Sequence, residues 1–172
     1  VFCRFWLPSE RIEEATSADG VPYNIYMQRG LLYPSGANIV DYNDVFNYFK
    51  EFVEKFNIYP LKCGFDRYSA VYLVNQMQNY MDDVFQGYNL HPVIVETEGL
   101  LKDRKIHIGD NDLLKIHFFN SALKISSEKG KSKLIKIKPS AHIDGMAAFL
   151  DAMTVRQKWF GEIGQQLKNE GK

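Results

Sequence analysis

Cysteine is scarce in this sequence of 172 residues: Cys3 and Cys63 are the only two, far apart and in no CxxC arrangement. That excludes a disulfide framework and a cysteine-based zinc site, and leaves a reducing compartment as the default. Long apolar runs are missing as well. None approaches the roughly 20 residues of a membrane-spanning helix, so no membrane role is expected, and the opening "VFCRFWLPSE" has neither the charged lead nor the apolar core of a signal peptide. Net charge is absent too, since 21 Lys plus Arg balance 21 Asp plus Glu. His91, His107, His117 and His142 show no HExxH or paired spacing, and each reads as a surface or packing residue, with His142 set apart by standing two positions before Asp144. "EKGKS", residues 128–132, ends like a phosphate-binding loop, but that pattern needs a glycine where Ile125 stands. No nucleotide site is expected. There is no internal repeat, no low-complexity stretch and no initial Met, so the chain reads as a piece of something longer.

What is present fits one soluble globular domain over residues 1–172, with 45% hydrophobic and 14% aromatic content to build a core. Charge is unevenly spread. Residues 1–60 carry five Arg or Lys against eight acids, whereas residues 115–138 carry seven lysines against Glu128 alone. A basic face follows from that asymmetry, although lysines blunting the edge of a solvated hairpin would give the same pattern.

The period of the apolar residues divides the chain into elements. "FCRFWL" reads as a strand, a polar loop with one short helix follows, and "LLYPSG" is a brief extended segment and turn. From Asp41, a helix N-cap, Val45, Phe46, Phe49, Phe52, Val53 and Phe56 recur at three- and four-residue steps and define an amphipathic helix. "LKCGFD" is a strand, Ala70 to Met81 a helix, "DVFQG" a strand, and residues 92–103 a helix. Extended segments are expected around "KIHIG", "LLKIHFFNSALKIS" and "KLIKIK", and a long helix from about Asp144 towards Leu167 carries Met146, Leu150, Met153 and Phe160 on one face. This is an α/β order, implying a partly parallel sheet.

In open α/β sheets, functional groups gather at the carboxyl ends of strands. Asp66 ends the "LKCGFD" strand and Asp144 opens the last helix, so the two could meet at one sheet edge and hold a hard divalent cation. Each alone is equally well a helix N-cap. Asp151 lies seven residues after Asp144, about 10.5 Å along a helix, too far to share a metal with it without a second ion or a bend. A supporting or structural role is expected for Asp151. Asp82, Asp83, Asp110 and Asp112 read as turn acids.

In order, "FWLPSERIEE", "VPYNIYMQRGLL", "NIVDYNDVFNYFKEFVEKFNI", "GFDRYSA", "VFQGY", "HFFNSALK" and "HIDGMAAFLDAM" resemble the C-terminal nuclease domain of the large terminase subunit of tailed bacteriophages. The resemblance implies an RNase H-like mixed sheet flanked by helices, here lacking its first strands and the catalytic Asp that the first of them carries in the family. It implies divalent-metal-dependent cleavage of concatemeric double-stranded viral DNA during genome packaging, through a two-metal site of Mg or Mn with Asp66 and Asp144 as catalytic ligands. His142, at a position often basic in the family, and Asp151 would stand behind them, His142 making a pH-sensitive phosphate contact. Gly145 would leave room at the helix mouth, where a backbone N–H favours an anion. Lys124, Lys131, Lys133, Lys136 and Lys138 would touch DNA phosphates without reading bases. The ATPase domain, the small terminase subunit and the portal are the implied partners, and the bacterial host cytoplasm the implied location, for a phage or prophage protein. Without the first Asp the isolated chain would be inactive, and uncovered strand edges would favour a homo-oligomer. Two other readings fit the same residues: a non-catalytic DNA- or protein-binding remnant of that domain, or another RNase H-like nuclease such as a junction resolvase.

Overall fold

A computed structural model describes residues 1–66 and 71–170; the "RYSA" of the fourth motif above, with the expected helix start at Ala70, lies outside the described residues. Strand β1, Phe5–Pro8, pairs in parallel with β2, Leu32–Ser35, Phe5 facing Leu32 and Pro8 facing Ser35. A parallel pair needs a crossover. Here it is made by two short helices rather than the expected loop with one: α1, Ile12–Asp19, which stops on Gly20 at φ 65°, and α2, Tyr23–Gln28. Tyr23, Tyr26, Leu32 and Leu113 form the core beneath them.

Helix α3, Tyr42–Phe56, forms where the apolar period placed it. The Asp41 carboxylate accepts the Asn43 amide at its start, and Asn57 closes it in the left-handed region at φ 56°. Strand β3, Cys63–Asp66, then pairs in parallel with β4, Met81–Val84, across helix α4, Val71–Met77. β4 begins earlier than "DVFQG" suggested. Met81, expected on a helix face, opens the strand, and Asp82 and Asp83 lie on it rather than in a turn. The Asp82 carboxylate accepts hydrogen bonds from Lys158 at 2.8 Å and Trp159 at 2.5 Å.

Helix α5, His91–Lys102, falls as expected, but "LLKIHFF" is not extended. It is helix α6, Asp112–Phe119, because Asn111 caps its first turn by accepting the Leu114 amide and because Leu113, Leu114 and His117 are buried at helical spacing. A short run broken only by Lys115 and His117 carries too little period to separate helix from strand. "KIHIG" forms no strand either. The lysine-rich hairpin, β5 Ser121–Ile125 with β6 Ser132–Lys136, is antiparallel as expected.

The last helix, α7, Asp144–Glu170, is the spine on which β3, β4, α5 and α6 converge. Leu150 and Met153 lock it against Val84, Val93 and Ile94, with Met146 packed alongside. Phe160, expected on the same face, lies past that core and is exposed, with the Arg156 guanidinium 5.3 Å above its ring. No helix among the described residues is long and apolar enough to cross a membrane.

Candidate active site

Strand β3 meets α7 backbone to backbone at one point. A Cβ on Gly64 would collide with the main-chain carbonyl of Asp151, so glycine is the residue that lets strand and helix approach this closely. Two residues on, at the strand's carboxyl end, stands Asp66. The consequence is a carboxylate pair that helix spacing alone could not reveal. Asp151 is 5% exposed; burial, together with the charge of Asp66, raises its carboxyl from 3.8 to about 6, against a hydrogen bond from Gln86 that favours the charged form. The Gln86 amide donates to Asp151 Oδ1 at 2.8 Å from just beyond β4. One side chain from each of β3, the β4 end and α7 therefore converges here.

Asp144 has different neighbours. Its side chain is 80% exposed, with His142 Nδ1 3.7 Å from its Oδ2. His142 Nε2 lies 3.1 Å from Asp19 Oδ1, and the Tyr23 hydroxyl donates to the other Asp19 oxygen at 2.8 Å. These groups share a cavity of about 430 Å³ with His117 and Arg11. Burial raises the Tyr23 hydroxyl pKa, and the charges of Asp19 and Asp144 raise it further. The charge of Asp66 thus acts on Asp151, while that of Asp144 acts on Tyr23 and His117.

Gly145 answers to packing as well as to room at the mouth: a Cβ there would press on the Phe5 ring and Leu114. Its N–H donates to Nδ1 of buried His117 at 3.1 Å, so this amide is committed to a side chain instead of being offered to an anion. Burial holds the His117 imidazole below its ordinary pKa, which suits an acceptor. His117 is thus the packing residue its spacing suggested, with the added task of capping α7.

A family model described as the terminase large subunit endonuclease domain matches residues 6–159. The chain belongs to that family. The large terminase subunit of Enterobacteria phage HK97 is 28% identical over 176 residues, covering 96% of this chain and 33% of the relative. The crystal structure of the HK97 bacteriophage large terminase superposes with a TM-score of 0.72 at 25% identity, over 86% of this chain and 32% of that one. The chain therefore spans about a third of these relatives, and its mixed α/β architecture is the RNase H-like fold of a terminase nuclease.

On this endonuclease domain the lysines divide. Lys124 and Lys133 face each other across the hairpin, while Lys136 pairs with Ser121 on the opposite face, and Lys131 and Lys138 flank the strands. Like charges directly opposite repel, so Lys124 and Lys133 gain when a polyanion lies over them. The donor chemistry at Asp66 and Asp151 suits Mg or Mn, which take hard oxygen ligands and keep several waters while using one or two carboxylates. Among the described residues no group of three or more His, Cys, Asp or Glu could hold a metal ion.

Proposed function

We propose that this endonuclease domain hydrolyses the phosphodiester backbone of concatemeric double-stranded viral DNA during genome packaging, with Mg or Mn held at the edge formed by Asp66, Asp151 and Asp144. The observation that carries this reading is the buried Asp151, raised to about 6 and facing Asp66. The charge of Asp66 acts on the buried Asp151, and a divalent ion held between the two carboxylates relieves that repulsion. When bound, the cation supplies Lewis acidity and an activated water for phosphodiester cleavage. Asp66 and Asp151 hold it from two elements, and Gln86 fixes the rotamer of Asp151. Asp144, about 10.5 Å along the helix from Asp151, reaches a second ion or the DNA at the cleft mouth, with His142 beside it. Lys124, Lys131, Lys133, Lys136 and Lys138 grip phosphates without reading sequence.

By the same kinship the domain works with a packaging ATPase domain, a small terminase subunit and a portal, in the cytoplasm of a bacterial host. A second reading, a non-catalytic DNA- or protein-binding module, draws on the lack of a three-ligand group among the described residues. Calorimetric titration of the chain with Mn, beside a plasmid-nicking assay, separates the two. We expect Mn binding that vanishes in Asp66→Asn and in Asp151→Asn. DNA binding with no Mn binding in the parent chain would favour the second reading, and nicking confined to branched DNA would point to a junction resolvase.

A further inference from the structure

A cavity of about 200 Å³ lies between α5, the β5–β6 hairpin and α7, walled by Ile94 and Leu101, by Leu123 and Leu134, and by Met146 and Leu150. Thr97 shares the α5 wall. It is 2% exposed, and among the described residues its hydroxyl is the one buried side-chain polar atom without a hydrogen-bond partner. The other two threonines of the chain, Thr16 and Thr154, each give their hydroxyl to the carbonyl four residues back at 2.8 Å. The remaining polar side chains of the wall are committed: Ser121 donates to the His117 carbonyl at 2.7 Å, and Glu98 is paired with Lys102 at 2.6 Å. An orphaned hydroxyl in apolar surroundings is costly, and a water beside it would lack the several polar partners that hold one in place. The cavity opens onto an apolar apron. Leu101 and Leu123 are exposed at its mouth, and Ile125 carries the same face of β5 outward at 68% exposure. Lys136, opposite Ser121 on that hairpin face, is exposed and has no acid partner among the described residues.

We propose that this cavity is a docking pocket for a protein partner and seats one tyrosine side chain of an acidic segment. Because an apolar cavity of about 150 Å³ takes a benzene ring, one of about 200 Å³ takes a ring bearing one polar atom. A phenol supplies that atom and partners Thr97, whose hydroxyl can turn between the two χ1 wells open to a helical threonine. A ring alone leaves the apron of Leu101, Leu123 and Ile125 uncovered, so the occupant continues outside the cavity as a chain. The unpaired ammonium of Lys136 selects a carboxylate on that chain. Tyrosine suits such a seat, since it brings a large apolar area and a polar tip on few rotatable bonds. Only Lys136 is shared with the proposed DNA contacts, and neither metal binding nor DNA cleavage enters this inference, so it stands or falls separately from the nuclease reading.

Methyl NMR on the chain labelled at its methionines tests it, with Met146 on the cavity wall as the reporter and Met77, in the separate core of α3 and α4, as the control. The probes are a short peptide with Tyr set between acidic residues, its Phe counterpart, and free p-cresol. We expect Met146 to shift with the Tyr peptide, which binds about fivefold tighter than the Phe peptide, and Thr97→Val, which keeps the shape and removes the hydroxyl, to erase that difference. Lys136→Ala should weaken the Tyr peptide about threefold and leave p-cresol unchanged. A Met146 that ignores both peptides, or a parent chain that binds the Tyr and Phe peptides equally, would overturn the proposal. So would p-cresol binding as tightly as the Tyr peptide, because the site would then be one for a free small phenol. A Met146 shift that grows on concentrating the chain alone, as dimers form in sedimentation, would overturn it too, because a second copy would then be the occupant.

Discussion

Asp144 and Asp151 sit seven residues apart on one helix and live in opposite environments. Asp144, at the first position of α7, is open to water with His142 beside it. Asp151, two turns on, is buried where Gly64 brings β3 against the helix, and it carries a carboxyl raised to about 6 beside Asp66. Same residue type, same helix face, and the electrostatic work is concentrated at one of them. What separates them is a single close approach of strand to helix. A site acid in this domain is defined by which strand end it faces, and distance along its own helix says little about that.

The largest effect should come from removing the pair itself. Asp66→Asn or Asp151→Asn is expected to lower Mn-dependent DNA cleavage by at least about 100-fold, measured by plasmid nicking on the longest active form of the protein. Asp144→Asn should cost markedly less; equal losses at all three positions would erase the contrast. Stability should separate the two acids next. A carboxyl whose folded value is raised disfavours the folded state once ionised, so the penalty is absent below about 4, grows as pH rises to about 6, and is full above it. A rise from 3.8 to about 6 corresponds to at most about 3 kcal/mol. Asp151→Asn should therefore raise the metal-free melting temperature at pH 8 and leave it unchanged at pH 4, while Asp144→Asn should do little at either pH.

Gly64→Ala sharpens the comparison from the backbone side. A methyl group there meets the Asp151 carbonyl, and overpacking of this kind costs about 1–3 kcal/mol, to be read by chemical denaturation. Gly161→Ala, near the other end of α7 with nothing near its would-be Cβ, is the control and should be neutral or stabilising. The smallest effect belongs to the hairpin. Replacing Lys131, Lys133, Lys136 and Lys138 with Ala should flatten the dependence of log affinity on log salt by at most about 3.6, since each phosphate contact adds about 0.9. An unchanged slope would return these lysines to a solvated edge.

The sequence makes some of this legible and hides the rest for physical reasons. Helix α3 is plain because its cap and its apolar period agree, and the β5–β6 hairpin because lysines punctuate its strands. Helix α6 is hidden, since Leu113 to Phe119 is almost uniformly apolar and only the Asn111 cap betrays it. Asp66 and Asp144 stand out because each closes or opens an element. The Asp66–Asp151 pairing is invisible from spacing, being made by a contact between distant segments. Its one local signal is Gly64, a glycine inside a strand, which often marks a close backbone approach. Gln86 lies within the "VFQGY" motif, yet nothing in the motif assigns it a role until β4 carries it to Asp151.

Carboxyl carbon NMR titration of the aspartates, in the presence and absence of Mg, tests the central pairing most directly. We expect Asp151 to titrate near 6 without Mg, to fall towards the ordinary carboxylate range when Mg binds, and to fall likewise in Asp66→Asn, while Asp144 responds to Mg far less. An Asp151 that titrates as an ordinary carboxylate and ignores both Mg and Asp66→Asn, with Asp144 shifting in its place, would contradict it.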